Sequence, residues 1–282
     1  MSTASPAGAP QHAEPWGEVE HLSVQREPDD LTGVVLVTLD LPERRNSMSE
    51  AMTRSWGRVM RALAADRSVR AVVVTGRGRA FCAGGDFSWL GATPDAGVPE
   101  LRERMLAFYR TWLSVHELRV PTVAAINGAA IGAGLAVALA CDIRIAADDA
   151  RLAVPFTSLG LHPGMATTWL LRQAAGDTVA RDMLLSGRAL TGVEAVPSGL
   201  VSRSAPGDEV VATALATAGA IGTAAPVATE LTKAALGAGG PQSLEAALAW
   251  EALAQPVTLA MDDLHEGLAA ARERRPPQFR GR

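Results

Sequence analysis

Two glycine-rich segments contain the residues whose types and spacing best suit chemistry. The first, at 76–86, follows a run of valines, and the second, at 128–134, directly precedes an apolar stretch. A turn that begins a helix offers free backbone N–H groups at the positive end of the helix dipole. One N–H group from each segment could stabilise a single developing oxyanion, because glycine and alanine leave room for a substrate carbonyl. The residues alone leave a second interpretation open, in which both turns only allow tight packing.

Other motifs in the chain are weaker indications of chemistry. Gly76 and Gly78 follow a predicted strand, but the third glycine of a dinucleotide-binding GxGxxG motif is missing and no helix follows at once. The sequence contains no GxSxG element of the kind that serine hydrolases use. Its histidines, cysteines and acidic residues do not have the spacing of metal ligands. We therefore expect neither a bound dinucleotide nor a metal site.

The composition predicts a globular protein without a polyanionic partner. Of the 282 residues, 48% are hydrophobic and 20% are charged, which is ordinary for a folded domain. The formal net charge is -4 and no long basic block occurs, so we expect no nucleic-acid groove. Cys82 and Cys141 each lie in an apolar run, and no secretory apolar segment follows Met1. We therefore expect reduced, buried thiols in a cytoplasmic protein.

The apolar stretch at 122–141 raises the alternative of a membrane-spanning helix. It contains the spacing Gly128-x-x-x-Gly132, which occurs where membrane helices pair. Asn127-Gly128 is nevertheless a turn signal in its middle, and Asp142 follows directly. A buried strand, a turn and a buried helix fit this pattern better, so we expect no membrane association.

The hydrophobic pattern predicts an α/β domain with a helical C-terminal part. Residues 1–17 are rich in Ala, Pro, Ser and Gly and are expected to form a disordered tail. Strands and helices alternate over residues 18–205, which is typical of parallel, buried strands, and residues 206–282 are helical in pattern. The predicted strands are 21–27 and 33–40 as a hairpin, 71–75, 122–126, 143–147 and 200–202. The predicted helices are 49–65 with Ser49 as N-cap, 100–116, 133–140, 164–174, 177–186, 208–222, 226–237, 242–254 and 258–274.

Four ordered motifs resemble the enoyl-CoA hydratase/isomerase, or crotonase, superfamily. These motifs are Glu43–Met48, Thr75–Phe87, Pro121–Gly134 and Ala140–Ile143. The resemblance continues through three later segments to the C-terminus and leaves out only the N-terminal tail. The later segments are Leu185–Arg188, Gly199–Val201 and the closing pair Glu266–Leu268 and Arg275–Phe279.

The resemblance implies a fold, a substrate and an assembly. Members of the superfamily form a spiral of ββα units followed by a helical trimerisation region, and their trimers often stack in pairs. They bind an acyl-CoA thioester in a bent conformation between the motifs. We therefore expect a crotonase-like α/β spiral, an acyl-CoA substrate, and a homotrimer or a dimer of trimers. Coenzyme A is part of that substrate, so the resemblance implies no separate cofactor.

The resemblance also implies roles for individual residues. The backbone N–H groups of Gly85 and Ala133 would hold the thioester oxygen as an enolate forms. Ala133 stands where the family commonly has glycine, but its backbone still supplies the donor. Arg44 or Arg45 would lie near the CoA phosphates, although an exposed arginine pair is equally typical of a solvated surface. The implied CoA-binding residues are Arg44, Arg45, Ser47, Ala83 and Gly85.

Both glutamates that the hydratases of this superfamily use are absent at the corresponding positions. The first position, in the opening turn of the helix after the second donor, is Ala136, and the second, after a proline, is Phe156. An aspartate that other members carry eight positions further on corresponds to Gly164. General acid/base groups typically contribute roughly 10² to 10⁴-fold each, so we do not expect fast hydration.

Few polar side chains remain near the implied site. His162 is the candidate base, because an imidazole changes its charge near neutral pH. The alternative is a histidine that caps the next helix or is hydrogen-bonded in the core. Asp86, Thr157 and Ser158 are nearby, and His116 and His265 are more distant candidates. The aromatic residues that could line an acyl pocket, or belong to the core instead, are Trp89, Trp112, Phe156 and Trp169.

Two functions from different classes remain open. The first is an enzyme that polarises an acyl-CoA thioester in an oxyanion hole without the glutamate pair, for isomerisation, C–C cleavage, thioester hydrolysis or decarboxylation. The second is a non-catalytic acyl-CoA carrier or sensor. Substitution of His162 discriminates between them, because it abolishes turnover in the first and leaves binding unchanged in the second.

Overall fold

A computed structural model describes residues 16–26, 32–86, 96–237 and 239–282, in which two sheets are surrounded by helices. The larger sheet has the strand order β1-β2-β3-β5-β7-β9 and is parallel except for the β1–β2 pair, and the smaller sheet has the order β4-β6-β8. The strands are β1 Leu22–Arg26, β2 Val34–Leu39, β3 Ala71–Gly76, β4 Ala80–Cys82, β5 Thr122–Ile126, β6 Ala129–Ile131, β7 Ile143–Ala147, β8 Leu152–Ala153 and β9 Arg203–Ala205.

Nine helices are assigned in the described residues, six of them after β8. They are α1 Glu50–Ala65, α2 Val98–Leu113, α3 Ala133–Ala140, α4 Thr167–Ser186, α5 Gly192–Ala195, α6 Val210–Gly222, α7 Pro226–Leu236, α8 Leu244–Leu259 and α9 Asp262–Glu273. Helix α1 begins where predicted, because the Ser49 side chain accepts a hydrogen bond from the Met52 N–H. Helix α4 is interrupted at Gly176, whose φ is 73°, so the two helices predicted there are distinct segments.

The predicted repetition of ββα units is confirmed in the middle of the chain. Strands β3, β5 and β7 each lie in the larger sheet, and β4, β6 and β8, which follow them directly, pair side by side in the smaller one. The sequence pattern predicts turns, not strands, at β4 and β6, and it assigns no element at β8. They contain two or three residues each, which is too short for an alternating pattern to stand out.

Three other predicted elements differ from the structure. The strand expected at 200–202 lies instead at Arg203–Ala205, where it pairs with β7. Leu200 and Val201 are buried by packing outside this ladder, so their apolar side chains do not mark a strand. Helix α8 continues through Pro256 to Leu259, although a proline usually ends a helix near the residue before it. Helix α2 ends at Leu113 and is followed by a short 3-10 helix.

The core lies between the larger sheet and the helices that cover it. All six residues of β3 are buried, as expected for a parallel strand covered on both faces. Helix α1 is fixed to α2 by Trp56 and Trp112, whose rings stack with centroids 4.9 Å apart. Trp112 therefore belongs to the core and not to an acyl pocket.

The packed region begins before the predicted domain boundary. Residues 1–15 lie outside the described residues, but Trp16 is only 6% exposed and joins the core. The Arg26 guanidinium lies 5.8 Å from the centroid of its ring, within the range of a cation–π contact. The tail predicted at 1–17 is therefore too long by at least the tryptophan, which anchors the chain to β1.

The C-terminal part of the chain is attached to the larger sheet at two places through Arg70. Arg70, next to β3, donates hydrogen bonds to the carbonyl oxygens of Gly222 at 3.0 Å and Phe279 at 2.8 Å. No helix of the described residues is by itself long and apolar enough to cross a bilayer. Helices α6 and α7 are long and apolar enough only when they are taken together, and the angle between them is 113°.

Candidate active site

One cavity of about 150 Å³ collects most of the predicted site residues. Its walls come from the loops after β4 and β6, the segment after β8, and one face of α2. The predicted residues that line it are Ala83, Gly85, Ala133, Phe156, His162 and Gly164. The fold therefore unites positions that are far apart in the sequence.

The loop between β2 and α1 is fixed to the first glycine segment by Asn46. Its buried side chain accepts a hydrogen bond from the Leu41 N–H at 2.9 Å and donates to the carbonyl oxygens of Arg77 and Ala80 at 3.0 and 2.8 Å. Asn46 has a φ of 55°, which asparagine tolerates better than most residues. The predicted CoA-binding loop, residues 44–48, therefore has a defined position beside β4.

Backbone hydrogen bonds hold this loop alongside the first predicted oxyanion donor. The Ala83 N–H donates to the Arg45 carbonyl oxygen, and the Met48 N–H donates to the Gly84 carbonyl oxygen, both at 2.9 Å. No hydrogen bond between described residues uses the N–H of Gly85. That N–H group is available to a ligand in the cavity.

The second predicted donor, Ala133, is the first residue of α3. The N–H of a first helical residue has no partner within the helix, and no hydrogen bond between described residues uses it. Gly84, the neighbour of Gly85, packs closely against the second turn, since a Cβ on Gly84 would lie 2.7 Å from the Ile131 carbonyl oxygen and 3.5 Å from the Ala133 nitrogen. Gly84 also has a φ of 94°, so glycine is required on both grounds.

Asn127 fixes the opposite ends of the same two turns. Its side-chain oxygen accepts a hydrogen bond from the Gly76 N–H at 3.1 Å, and its amide group donates to the carbonyl oxygens of Gly76 and Gly78 at 2.8 and 2.9 Å. The turns follow β3 and β5, which are parallel neighbours in the larger sheet. The cavity itself lies beyond the carboxyl ends of β4, β6 and β8, which are parallel neighbours in the smaller sheet.

Gly134 sets how closely α3 approaches β4. A Cβ on Gly134 would lie 2.3 Å from the Cys82 carbonyl oxygen and 2.8 Å from the Cys82 Cβ. We expect Gly134→Ala to lower the free energy of unfolding by about 1–3 kcal/mol, because overpacking forces backbone shifts. Chemical denaturation of the full chain measures this change.

Gly219→Ala in α6 is the matched control for that substitution. Nothing lies within 4 Å of a Cβ added there, and alanine within a helix is more stable than glycine by about 0.5–1 kcal/mol. We expect this control to be neutral or stabilising. A Gly134→Ala variant as stable as the control would contradict the close approach of α3 and β4.

The positions of the two absent glutamates have different surroundings. Ala136 is fully buried in α3 and is not among the described residues that line the cavity. Phe156 lines the cavity, and its ring lies 3.6 Å from the place of a Cβ on Gly132. The cavity wall next to the second turn is therefore aromatic and apolar.

His162 lies at the exposed rim of the cavity. Its Nδ1 is 2.8 Å from the Pro163 carbonyl oxygen. Because a carbonyl oxygen can only accept a hydrogen bond, Nδ1 carries the proton, and Nε2 of the neutral ring has a free lone pair. His162 is neither a core residue nor a helix cap, because it is exposed and the N-cap of α4 is Ala166. Its role as a base stays a prediction.

The implied CoA-binding residues differ in how they are held. A guanidinium nitrogen of Arg44, whose side chain is half exposed, lies 2.9 Å from a carboxylate oxygen of the buried Asp86. Asp86 therefore fixes this loop. Arg45 is exposed, and no ion pair between described residues involves it. The Ser47 hydroxyl is buried and has no hydrogen-bond partner among the described residues.

The other polar candidates are engaged elsewhere or lie outside the cavity lining. Thr157 Oγ1 donates to the Leu184 carbonyl oxygen at 3.3 Å, and His116 Nδ1 donates to the Ala140 carbonyl oxygen at 3.2 Å. Ser158 and His265 are not among the described residues that line the cavity. Trp169 lines a different and larger cavity, of about 860 Å³, and Trp89 lies outside the described residues.

Helix α2 contributes a wall that the sequence did not assign to the site. Met105, Phe108 and Tyr109 lie on its cavity-facing side, together with Met165 from the segment before α4. Burial raises the pKa of the Tyr109 hydroxyl, so the phenol stays protonated at neutral pH. Helical spacing indicates a buried face on α2, but it does not indicate which cavity that face lines.

Comparisons with known proteins show which family the chain belongs to. Residues 29–282 match the family described as enoyl-CoA hydratase/isomerase. The chain belongs to the enoyl-CoA hydratase/isomerase family. The crystal structure of an enoyl-CoA hydratase from Bacillus anthracis is similar, with a TM-score of 0.86 and 31% identity over 93% of this chain and 100% of that one.

Two curated relatives extend the comparison within the enoyl-CoA hydratase/isomerase family. A probable enoyl-CoA hydratase, EchA14, from Mycobacterium tuberculosis is 45% identical over 59% of this chain, and the match spans 64% of that relative's length. A putative enoyl-CoA hydratase from Thermus thermophilus is 39% identical over 87% of this chain and 97% of its own length. The likeness therefore covers the two-sheet core and the helical C-terminal part.

The first three motifs that resemble the family are positioned around or beside the cavity, whereas Cys141–Ile143 of the fourth line the larger cavity of Trp169. Residues 44–48 run along Ala83–Gly85, and α3 begins at the second turn. In the described part of the chain, no group of three or more His, Cys, Asp or Glu residues is placed to hold a metal ion. Among the described residues that line the cavity, the only polar side chains are the imidazole of His162 and the phenol of Tyr109.

Proposed function

We propose that this protein binds an acyl-CoA thioester and stabilises the thioester enolate between the N–H groups of Gly85 and Ala133. The observation that carries this proposal is that two N–H groups without a partner among the described residues come from separate turns of one cavity. Two donors on one oxygen stabilise that oxygen more strongly when it becomes negatively charged than when it belongs to a neutral carbonyl. The dipole of α3 supports the same charge at Ala133.

The CoA part of the ligand is proposed to lie along residues 44–48. Arg45 is an exposed cation outside the ion pairs of the described residues and suits a phosphate, whereas Arg44 is already paired with Asp86. The buried Ser47 hydroxyl lacks a partner among the described residues, and a ligand group could supply one. Ala83 and Gly85 line the cavity where the thioester would follow.

The reaction is proposed to be of the lyase or isomerase type, without efficient hydration of an enoyl thioester. Ala136 and Phe156 provide no carboxylate to activate water or to protonate the α-carbon. His162 is the proposed base, since the neutral ring presents Nε2 for a proton. A proton removed from the α-carbon would leave an enolate on the two backbone donors.

A non-catalytic acyl-CoA carrier or sensor is the second candidate function. The apolar side chains of Ala136 and Phe156 favour it, because the site then keeps its two backbone donors but lacks the acid/base groups at the glutamate positions. A carrier needs the two N–H groups for binding only. The two candidates differ in whether the α-proton of a bound thioester exchanges.

Incubation of the purified protein with a panel of acyl-CoA thioesters in D₂O tests the proposal. We expect deuterium at the α-carbon of at least one thioester, or a mass change from a lost or added fragment, detected by mass spectrometry. If every thioester stays unchanged while native mass spectrometry shows it bound, the carrier function stands. If none binds, both functions are wrong.

We also propose that three copies of the chain assemble through the C-terminal helices, as a trimer or a pair of trimers. Contiguous apolar surface on a single chain commonly marks an interface. Five large apolar side chains of α8 are more than half exposed: Leu244, Leu248, Leu253, Val257 and Leu259. Nothing among the described residues of the same chain covers them.

We expect Leu253→Glu to shift the protein from the trimer or hexamer towards the monomer. Leu253 is 75% exposed in the single chain, and a carboxylate buried in an interface is strongly disfavoured. Leu185→Glu in α4, where the leucine is 74% exposed, is the control and should leave the assembly unchanged. Size-exclusion chromatography with light scattering measures both, and a monomeric parent protein would contradict the proposed assembly.

The cytoplasmic location stays a prediction from the thiols. Burial raises the pKa of both Cys82 and Cys141 to about 12, so each is a neutral thiol at physiological pH. Such buried thiols are unreactive. They fit the expected reduced state without requiring a disulfide.

A further inference from the structure

The only tyrosine of the chain, Tyr109, presents its hydroxyl at the cavity. It lies on α2, and a Cβ placed on Gly164 would be 2.5 Å from its Oη. The hydroxyl therefore fills the space that any larger side chain at 164 would need. Gly164 thus leaves room for the Tyr109 hydroxyl, and both residues line the cavity.

The Tyr109 hydroxyl is a donor without a partner among the described residues. No hydrogen bond between those residues involves it. A phenol is protonated at neutral pH and burial raises the pKa of this one further, so the hydroxyl is a donor and not a base. Its neighbours in the cavity wall include the apolar side chains of Met105, Leu159 and Met165. Water can satisfy the hydroxyl while the cavity is free of ligand.

An acyl group that fills the cavity displaces that water. An alkyl chain then leaves the hydroxyl unpaired, and a buried donor without a partner is costly. An acyl group with an oxygen at this place restores the hydrogen bond. A site built around such a donor discriminates against analogues that lack the acceptor.

We propose that the Tyr109 hydroxyl donates a hydrogen bond to an oxygen substituent of the acyl chain, so that the site selects oxygenated acyl thioesters. The proposal rests on the proposed acyl-CoA function. It names the substrate class as hydroxyacyl or oxoacyl thioesters. Gly164 is required because its missing side chain leaves room for the hydroxyl.

The test measures the affinity of matched thioesters for the full-length protein and for Tyr109→Phe. The probes are butanoyl-CoA, 3-hydroxybutanoyl-CoA, 3-oxobutanoyl-CoA and 4-hydroxybutanoyl-CoA, titrated by calorimetry. Tyr109→Phe removes only the hydroxyl. Thr111→Val is the control, because it also removes a hydroxyl from α2. The Thr111 hydroxyl donates a hydrogen bond to the Ala107 carbonyl oxygen, and Thr111 is not among the described residues that line the cavity.

We expect Tyr109→Phe to weaken binding of at least one oxygenated thioester by about three- to tenfold, the worth of one neutral hydrogen bond. Tyr109→Phe should bind butanoyl-CoA as tightly as the parent protein or more tightly. Thr111→Val should change neither the affinity for butanoyl-CoA nor that for the oxygenated thioesters. Gly164→Ala, which displaces the hydroxyl without removing it, should cause the same selective loss. Circular dichroism shows whether each variant is folded.

The other outcomes separate this proposal from the function on which it rests. If the parent protein binds butanoyl-CoA and the oxygenated thioesters, and Tyr109→Phe leaves their ratio unchanged, the role of Tyr109 is wrong and the acyl-CoA cradle stands. If none of the four thioesters binds the parent protein, the proposed function itself is overturned.

Discussion

Ala133→Pro is expected to lower the rate of α-proton exchange in a bound thioester by about 10² to 10³-fold, the effect of removing one oxyanion donor. Proline has no N–H group, and the first position of a helix is where proline is best tolerated. Ala133 is the first residue of α3 and is preceded by Gly132, which has no side chain to clash with the ring. The substitution therefore removes one donor with little effect on the helix.

Ala133→Gly is the matched control, because it retains the N–H group and the length of the backbone. We expect it to exchange the α-proton within a few-fold of the parent rate. Mass spectrometry of the thioester in D₂O follows both variants, and thermal unfolding shows whether α3 is intact. Equal exchange rates in a folded Ala133→Pro variant and in the control would remove Ala133 from the oxyanion site.

His162→Gln is expected to reduce the same exchange by roughly 10² to 10⁴-fold, the usual contribution of a general base. Glutamine reaches to about the position of Nε2 and forms hydrogen bonds, but it takes no proton at neutral pH. Thioester affinity should change little, because the proposed contacts to CoA and to the enolate oxygen come from other residues. The experiment measures exchange and affinity in parallel.

His265→Gln is the control for this prediction, since His265 is also exposed but lies on α9 outside the cavity lining. It should leave exchange and binding unchanged. An active His162→Gln variant would show that another group takes the proton. An inactive parent protein with normal thioester binding would favour the carrier instead.

Local sequence patterns account for most of the regular elements. The spacing of apolar residues predicts α1 with Ser49 as its cap, and strands β5 and β7 have the predicted bounds. These features depend on residues within a few positions of one another, so they can be read from the chain itself. Proline signals are less reliable, since α8 continues through Pro256.

The family motifs also predict part of the candidate site. Gly85 and Ala133 line one cavity, and His162 lies at its rim. Residue types are sufficient for this prediction because a backbone donor needs only a small residue at a turn. They do not distinguish an oxyanion site from two tightly packed turns, because both arrangements need small residues.

The combination of side chains from distant segments follows from the packing of the whole molecule. The fold pairs Arg44 with Asp86, places Tyr109 beside Gly164, and buries Ala136 away from the cavity. Each of these contacts depends on how helices and sheets pack, which the entire core sets and not the neighbouring residues. Sequence patterns are thus enough for the family, the main elements and the small residues of the two turns, whereas the place of Tyr109 in the cavity wall and the pairing of Arg44 with Asp86 follow only from the folded chain.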